Sequence, residues 1–276
     1  MASQNIVFGA PPVIETVLSV QFQPIPGFTS AHAGCFWQGA LAPNFPDWQN
    51  AKFMETQRLE DAFEDMAAEP SFGLPSFQLR AGDPASRVQI IGSDEERMIQ
   101  IQDSRFIYNW RKRHGKYPTY SIIKPEFDLL FQRFETYLEG AAFPTPQANQ
   151  WEVIYTNHIP KGELWSGVAD WVATIPGLYI PTGSPEDVDF ETMAGMWRYR
   201  LPEGRGRLHI SLQHGRTLDK QEVILLQFIA RGPVGDGGLT VNAGLSTGHN
   251  AIVNTFHQMT SAQMHLEWKE GNQNDN

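Results

Sequence analysis

A histidine near the C-terminus is the residue of this sequence best suited to acid–base or ligand chemistry. His249 lies in "GHNAIVNTFHQM", where it shares one face of a predicted helix with Ile252 and Val253 and should point inward. An inward histidine is either a core residue hydrogen-bonded to backbone or, with a carboxylate or an anion nearby, a general base or ligand contact. Glu15, on the first predicted strand, is the acid that we nominate as its partner.

A cluster of cations in "RFIYNWRKRHGKYPTY" is the second candidate site. Its members, with no acid among them, are Arg105, Arg111, Lys112, Arg113 and Lys116. The pattern is typical of a core strand that ends in a solvated turn, and it also fits a phosphate or acidic partner held by Arg111 and Arg113. Nucleic-acid binding through residues 105–116 is a further alternative, against which the formal net charge of −10 counts.

Two asparagines interrupt otherwise apolar strands. Asn109 lies in "RFIYNWRK" and Asn157 in "WEVIYTNHIP". A buried amide needs hydrogen-bond partners. We interpret the pair as a structural network between two halves of the chain, with substrate contacts as the alternative.

The sequence lacks the motifs of the common cofactor and metal sites. Cys35 is the single cysteine, so Cys-rich zinc and iron–sulfur sites are excluded. His249, His257 and His265 are spaced by eight residues, which would not place them on one helix face. Phosphate-binding loops and a GxSxG turn are missing as well. We therefore expect no metal and no cofactor, and an enzyme only of unrecognised type.

Composition indicates a soluble protein of the reducing cytoplasm. Hydrophobic residues make up 41% of the 276 residues, which is ample for a core, and one cysteine cannot form an internal disulfide. The opening "MASQNIVFGAPP" does not resemble a signal peptide. The longest apolar run, "VILLQFIA", is far shorter than the roughly 20 residues that span a bilayer.

The order of predicted elements repeats along the chain. A strand in "ETVLSVQFQP", a helix over 50–66, four strands from "SFQLRAG" to "RFIYNWRK" and a helix in "IIKPEFDLLFQRFETYL" form the first series. After a linker, the second series runs from "WEVIYTNHIP" through a short helix and three strands. A glycine-rich connector then leads into a last helix, capped by Ser246 or Thr247.

This order predicts an α+β fold with two similar halves of antiparallel sheet and packed helices. The predicted boundaries are 1–142 for the N-terminal half, 143–150 for the linker, 151–268 for the C-terminal half and 269–276 for a disordered tail. Joined edge to edge, the halves would resemble a tandem TATA-box-binding-protein-like saddle, an analogy of fold that implies no function.

Four motifs occur in the order of a known family: "PPVIETVLSVQF", "IQIQDSRFIYNWRKRHGKYPTY", "VIYTNHI" and "GHNAIVNTFHQMTSAQMHLEW". Over nearly its full length the chain resembles a sporadically distributed family of uncharacterised prokaryotic proteins, the "sporadTIGR" type. The matching positions are Pro12, Glu15, Asn109, Trp110, Tyr117, Pro118, Tyr155, Asn157, His249, Phe256 and Trp268. The resemblance implies no defined activity, and a patchy distribution is like that of genes in mobile or defence-associated neighbourhoods.

Together these observations predict a cytoplasmic binding or interaction protein without catalytic activity. Its partner would be another protein or a small ligand held between helices and sheet, through Glu15, Asn109, Arg111, Arg113, Asn157 and His249. The first alternative is an enzyme that uses His249 with an acid such as Glu15 in an interdomain cleft. Nucleic-acid binding is the second alternative.

Overall fold

A large antiparallel sheet with helices is the framework of this α+β protein. A computed structural model describes residues 6–63, 86–179, 190–235 and 237–272. The strands are β1 (Ile6–Phe8), β2 (Val13–Phe22), β3 (Lys52–Gln57), β4 (Ser86–Ile91), β5 (Arg97–Gln102), β6 (Arg105–Arg111), β7 (Ala148–Pro160), β8 (Ala194–Arg200), β9 (Arg207–Arg216), β10 (Glu222–Pro233) and β11 (Glu270–Asn272). The helices are α1 (Ser30–Phe36), α2 (Pro46–Gln49), α3 (Tyr120–Gly140), α4 (Trp171–Thr174), α5 (Val241–Met259) and α6 (Ala262–Glu267).

Nine of these strands form one sheet in the order β3-β4-β5-β6-β2-β7-β10-β9-β8, and every neighbouring pair is antiparallel. The pairing of β2 with β7 joins the N-terminal strands to the C-terminal ones. β1 and β11 form a separate two-stranded ribbon. Among the described residues, no helix is long and apolar enough to cross a bilayer.

The central strand β2 is buried on both faces. Its alternating pattern predicts a half-buried strand, but Ser19 and Gln21 are as inaccessible as Leu18 and Val20. The reason is position, because strands flank β2 on both sides, and on its second face Gln21 accepts hydrogen bonds from the Ala62 amide and from Arg105.

Helices α1, α3 and α5 pack on one face of the sheet, which we call the helix-covered face. Helix α3 buries Phe127, Leu130, Phe134 and Leu138, as the spacing predicts. The ring of Phe134 lies 5.3 Å from that of Phe106 on β6. Pro125, expected near the first turn, lies inside the helix because α3 begins at Tyr120.

Helix α5 approaches the sheet unusually closely at two glycines. A β-carbon on Gly244 would lie 2.2 Å from the Trp151 ring on β7, and one on Gly248 would lie 2.7 Å from the same ring. The helix begins at Val241, and the side chain of its cap Thr240 accepts a hydrogen bond from the Ala243 amide. The predicted cap at Ser246 or Thr247 is therefore wrong, since residues 241–245, which the sequence assigned to the connector, form the first turn and a half of α5.

The predicted helix over 50–66 is wrong where the structure describes it. Residues Lys52–Gln57 form β3, which pairs with β4 at the edge of the sheet. The strand predicted in "SFQLRAG" lies outside the described residues. The predicted short helix after β7 is reduced to a 3₁₀ turn and the four residues of α4. Residues Glu270–Asn272, placed in the tail by the sequence, pair with β1 as β11.

Candidate functional site

A cavity of about 550 Å³ lies over the junction of β2 and β7, between α5, the start of α3 and β1. Its apolar wall is formed by Ile6, Val7, Phe8, Val13, Ile252 and Phe256. Its polar wall includes Tyr117, Tyr120, Tyr155, Asn157, Ser246 and His249. Both the size and the mixture of apolar walls with a few convergent polar groups are typical of small-molecule sites.

A chain of hydrogen bonds runs through the polar wall to His249. The Tyr117 hydroxyl donates to the Tyr155 hydroxyl at 3.2 Å, and the Tyr155 hydroxyl lies 2.9 Å from Nδ1 of His249. We assign Tyr155 as the donor to Nδ1, since Tyr117 already donates to the Tyr155 oxygen. The proton of the neutral imidazole is then on Nε2.

The ring of Tyr120, the first residue of α3, stacks on His249. The two centroids are 3.9 Å apart and the planes differ by 3°. The Tyr120 hydroxyl is buried and makes no hydrogen bond within the described part of the chain, although the Ser246 side chain lies close enough to act on its pKa. Stacking therefore fixes the imidazole plane and places Tyr120 in the cavity wall, with its hydroxyl buried beside Ser246.

Burial keeps these groups uncharged at neutral pH. Desolvation lowers the pKa of His249 to about 4 and raises the pKa of Tyr120 to about 12. The pKa values of Tyr117 and Tyr155 are raised for the same reason. The titratable groups of the polar wall are thus a neutral imidazole and protonated phenols, which offer hydrogen bonds without a charge.

The structure does not bring Glu15 to His249. Strand alternation puts Glu15 on the face opposite to its neighbour Thr16, and Thr16 is aligned with Tyr155, which bonds His249. Glu15 instead accepts a hydrogen bond of 2.9 Å from Nδ2 of Asn109. An acid–base pair of Glu15 with His249 is thus incompatible with the sheet.

The two asparagines serve separate networks. Asn109 accepts from Gln100 at 2.8 Å and donates to Glu15, which links β5, β6 and β2. Asn157 donates to the Leu226 carbonyl at 3.0 Å, which links β7 and β10, and it also lines the cavity. The predicted network between the halves is therefore wrong, because each amide bonds within its own half.

The basic stretch divides into a buried part and an exposed turn. Arg105 is 5% exposed, and its guanidinium donates to Gln21 at 2.5 Å on the face away from α3. Arg111 ends β6 half-buried, and Lys112 to Lys116 are exposed. The main-chain amides of Arg113, His114 and Gly115 donate to one oxygen of Glu96, at 3.2, 2.9 and 2.8 Å. An internal carboxylate, which the sequence did not reveal, therefore organises the turn.

Two of the remaining histidines meet in space. The rings of His257 on α5 and His265 on α6 stack with centroids 4.3 Å apart. The eight-residue spacing suggested separate faces of one helix, but the chain turns at Thr260 and Ser261 and starts a new helix. Among the described residues, no group of three or more His, Cys, Asp or Glu could hold a metal ion.

A second depression, of about 460 Å³, lies at the ends of β9 and β10. Its Glu222 bonds Lys161 at 2.8 Å and lies 3.5 Å from Arg216. These are exposed ion pairs at a rim, which contribute little energy and do not converge on a buried point. We therefore place the candidate site in the cavity beside His249.

Comparison with family models, with curated proteins and with solved structures finds no match for this chain. Of the motif positions that carry the sequence resemblance, Tyr117, Tyr155, Asn157, His249 and Phe256 line the cavity. Sequence reasoning nominated only two of these as site residues. Tyr120, the last residue of the motif "RFIYNWRKRHGKYPTY", and Ser246 also line the polar wall, and neither is among the predicted site residues.

Proposed function

We propose that this protein is a non-enzymatic binding protein that holds a small ligand in the cavity beside His249. The observation that carries this proposal is the hydrogen-bonded chain from Tyr117 through Tyr155 to His249, which ends in the wall of the cavity. Such a chain fixes the orientation of the imidazole before any ligand arrives. Preorganised donors cost little ordering entropy on binding.

The same geometry favours binding over catalysis. A general base works best when its pKa lies near the working pH. Burial lowers the pKa of His249 to about 4, and its hydrogen-bond partner is a phenol rather than a carboxylate. Neutral phenols and a neutral imidazole are suited to ligand recognition. The alternative of an enzyme that pairs His249 with Glu15 is not supported, because Glu15 bonds Asn109 instead.

The wider setting of the cavity supports three further parts of the proposal. The β2–β7 pair lies at the centre of the sheet, with β6, β5, β4 and β3 on one side and β10, β9 and β8 on the other. Helices α3 and α5 pack on the same face of the sheet. This order supports a tandem saddle with an internal duplication, in which the cavity lies at the junction of the halves. The single cysteine supports a place in the reducing cytoplasm.

Native mass spectrometry of the freshly purified protein, set against its denatured mass, tests the proposal. We expect an additional mass of a few hundred daltons on the native species. The variant Val253→Trp, which places an indole at the cavity wall, should lose this mass. Val172→Trp, on the exposed surface of α4, should keep it. A bare native mass in the unaltered protein would instead favour a protein partner, to be sought by pull-down from the host.

A further inference from the structure

We infer that the ligand of the cavity is an uncharged amphipathic molecule, bound through an oxygen acceptor by Tyr120 and His249 with its apolar body against Phe8 and Ile252. The inference rests on the proposed function and specifies the chemical class of ligand. Three features of the cavity support it: the lack of charge in its walls, the direction of its hydrogen-bond donors and the division between its polar and apolar sides.

The walls lack formal charge. Among the described residues that line the cavity, none is Asp, Glu, Lys or Arg, in a chain that is 19% charged overall. An ion that enters such a space loses hydration and meets no opposite charge, which is strongly unfavourable. Phosphates, nucleotides, carboxylates and ammonium compounds are therefore poor candidates.

The polar wall presents donors. Within the described residues Tyr155 is the hydrogen-bond partner of the His249 ring through Nδ1, and with Tyr155 assigned as the donor the proton of His249 is on Nε2. Tyr120 contributes a second hydroxyl, which lies buried beside the Ser246 side chain and makes no hydrogen bond of normal length within the described residues. An unsatisfied buried donor is unfavourable, and a carbonyl or ether oxygen from a ligand would satisfy it.

The opposite wall is hydrocarbon. Phe8 lies edge-on to Phe256 with centroids 5.5 Å apart, and Ile6, Val7 and Ile252 continue this surface. A ligand that spans the cavity thus contacts donors at one end and apolar side chains at the other. Burial of its apolar part would supply most of the affinity, and the acceptor would set its orientation.

Three probes with one phenyl ring separate the possibilities: acetophenone, which carries a neutral acceptor, benzoate and benzylammonium. Saturation-transfer NMR titrations would measure their binding to the full chain. We expect acetophenone to bind and the two ions not to bind at the same concentrations. Tyr120→Phe should weaken acetophenone about tenfold, as for the loss of one good hydrogen bond. The exposed control Tyr199→Phe should leave it unchanged.

The outcomes separate this inference from the proposed function. Benzoate or benzylammonium could bind as tightly as acetophenone and lose this binding in Val253→Trp. That outcome would overturn the inference that the ligand is uncharged, but the cavity would remain a binding site. Equal affinity of acetophenone for Tyr120→Phe and the unaltered protein would overturn the role of the donor. Failure of all three probes, with a bare native mass, would overturn both.

Discussion

The imidazole of His249 lies parallel to the phenol ring of Tyr120, with 3.9 Å between the two centroids and 3° between the two planes. The contact joins α5 to the first residue of α3, two helices that belong to different halves of the chain. Because Tyr155 on β7 fixes the same imidazole through Nδ1, three elements position one ring. This ring is therefore part of the packing between the halves as well as of the cavity.

The buried imidazole predicts that stability falls in mild acid. An unfolded chain protonates His249 near its ordinary pKa of 6.5, whereas the folded chain does so only near 4. Between these values the unfolded state binds more protons, so the contribution is fully present above about pH 6.5 and is lost as the pH falls towards 4. From pH 7 to pH 5 the free energy of unfolding should fall by about 2 kcal/mol through this group.

Urea unfolding at the two pH values measures this effect. In His249→Gln the free energy of unfolding should no longer show the fall of about 2 kcal/mol between pH 7 and pH 5 that we assign to the imidazole. His114→Gln, in the exposed turn, should show the same fall as the unaltered protein. An unchanged pH dependence in His249→Gln would show that the imidazole is accessible to protons in the folded state.

The close approach of α5 to β7 predicts that Gly244→Ala is destabilising. Alanine is the better helix former, but its β-carbon would lie 2.2 Å from the Trp151 ring, which is fully buried. We expect a loss of about 2–3 kcal/mol in the free energy of unfolding, as for overpacked cores. Gly140→Ala, at the end of α3 where nothing lies within 4 Å, is the matched control and should be neutral or slightly stabilising. Equal effects of the two substitutions would contradict the close packing.

The sheet and its long helices follow from local patterns, and the edge strand β3 shows where such patterns fail. Phe53 and later apolar residues are spaced as in a helix, yet Phe53 pairs with Ile90 on β4 and stacks on Trp37 at 5.8 Å. Phe63, a later member of the same pattern, is 63% exposed. Contacts distant in sequence thus decide the conformation, as is common for edge strands, whose propensities depend on context.

The cavity is harder to predict than the sheet, for the same reason. His249 could be selected because a polar residue on an apolar helix face is conspicuous. Its partners Tyr155 and Tyr120 are 94 and 129 residues away (249 − 155 and 249 − 120) and look like ordinary aromatic core residues. Glu15 is the acid that the sequence analysis nominates for His249, but the sequence does not show which face of β2 meets α5.

A carboxylate that bridges α3 to the sheet predicts a second stability effect. Glu126 accepts hydrogen bonds from Arg97 at 2.9 and 3.1 Å, and it also accepts one from the buried Tyr108 hydroxyl. Glu126→Gln keeps the shape and removes the charge, so it should cost about 1–2 kcal/mol because charge-assisted bonds are stronger than neutral ones. Thermal unfolding would measure this loss. Glu139 is exposed on the same helix, so Glu139→Gln should leave the stability unchanged. An equal loss of stability in the two variants would contradict a specific bridge by Glu126.

The exposed turn after β6 yields the last prediction, because a single carboxylate organises it. Glu96 accepts from the amides of Arg113, His114 and Gly115, and although its burial acts in the opposite direction, these bonds lower the pKa of its carboxyl group. Removal of the carboxylate in Glu96→Ala should leave three amides without their acceptor. We expect hydrogen exchange in this turn to accelerate about tenfold or more, as for the loss of roughly 1.4 kcal/mol of local stability.

Glu95→Ala is the control, since the neighbouring Glu95 pairs with the exposed Lys52 instead. Because Tyr117 follows this turn directly and begins the hydrogen-bonded chain to His249, a loosened turn should also weaken the binding of acetophenone. Exchange that is unchanged in Glu96→Ala would mean that the turn holds its shape without the carboxylate. The cationic cluster would then be a solvated strand end with no part in positioning the cavity.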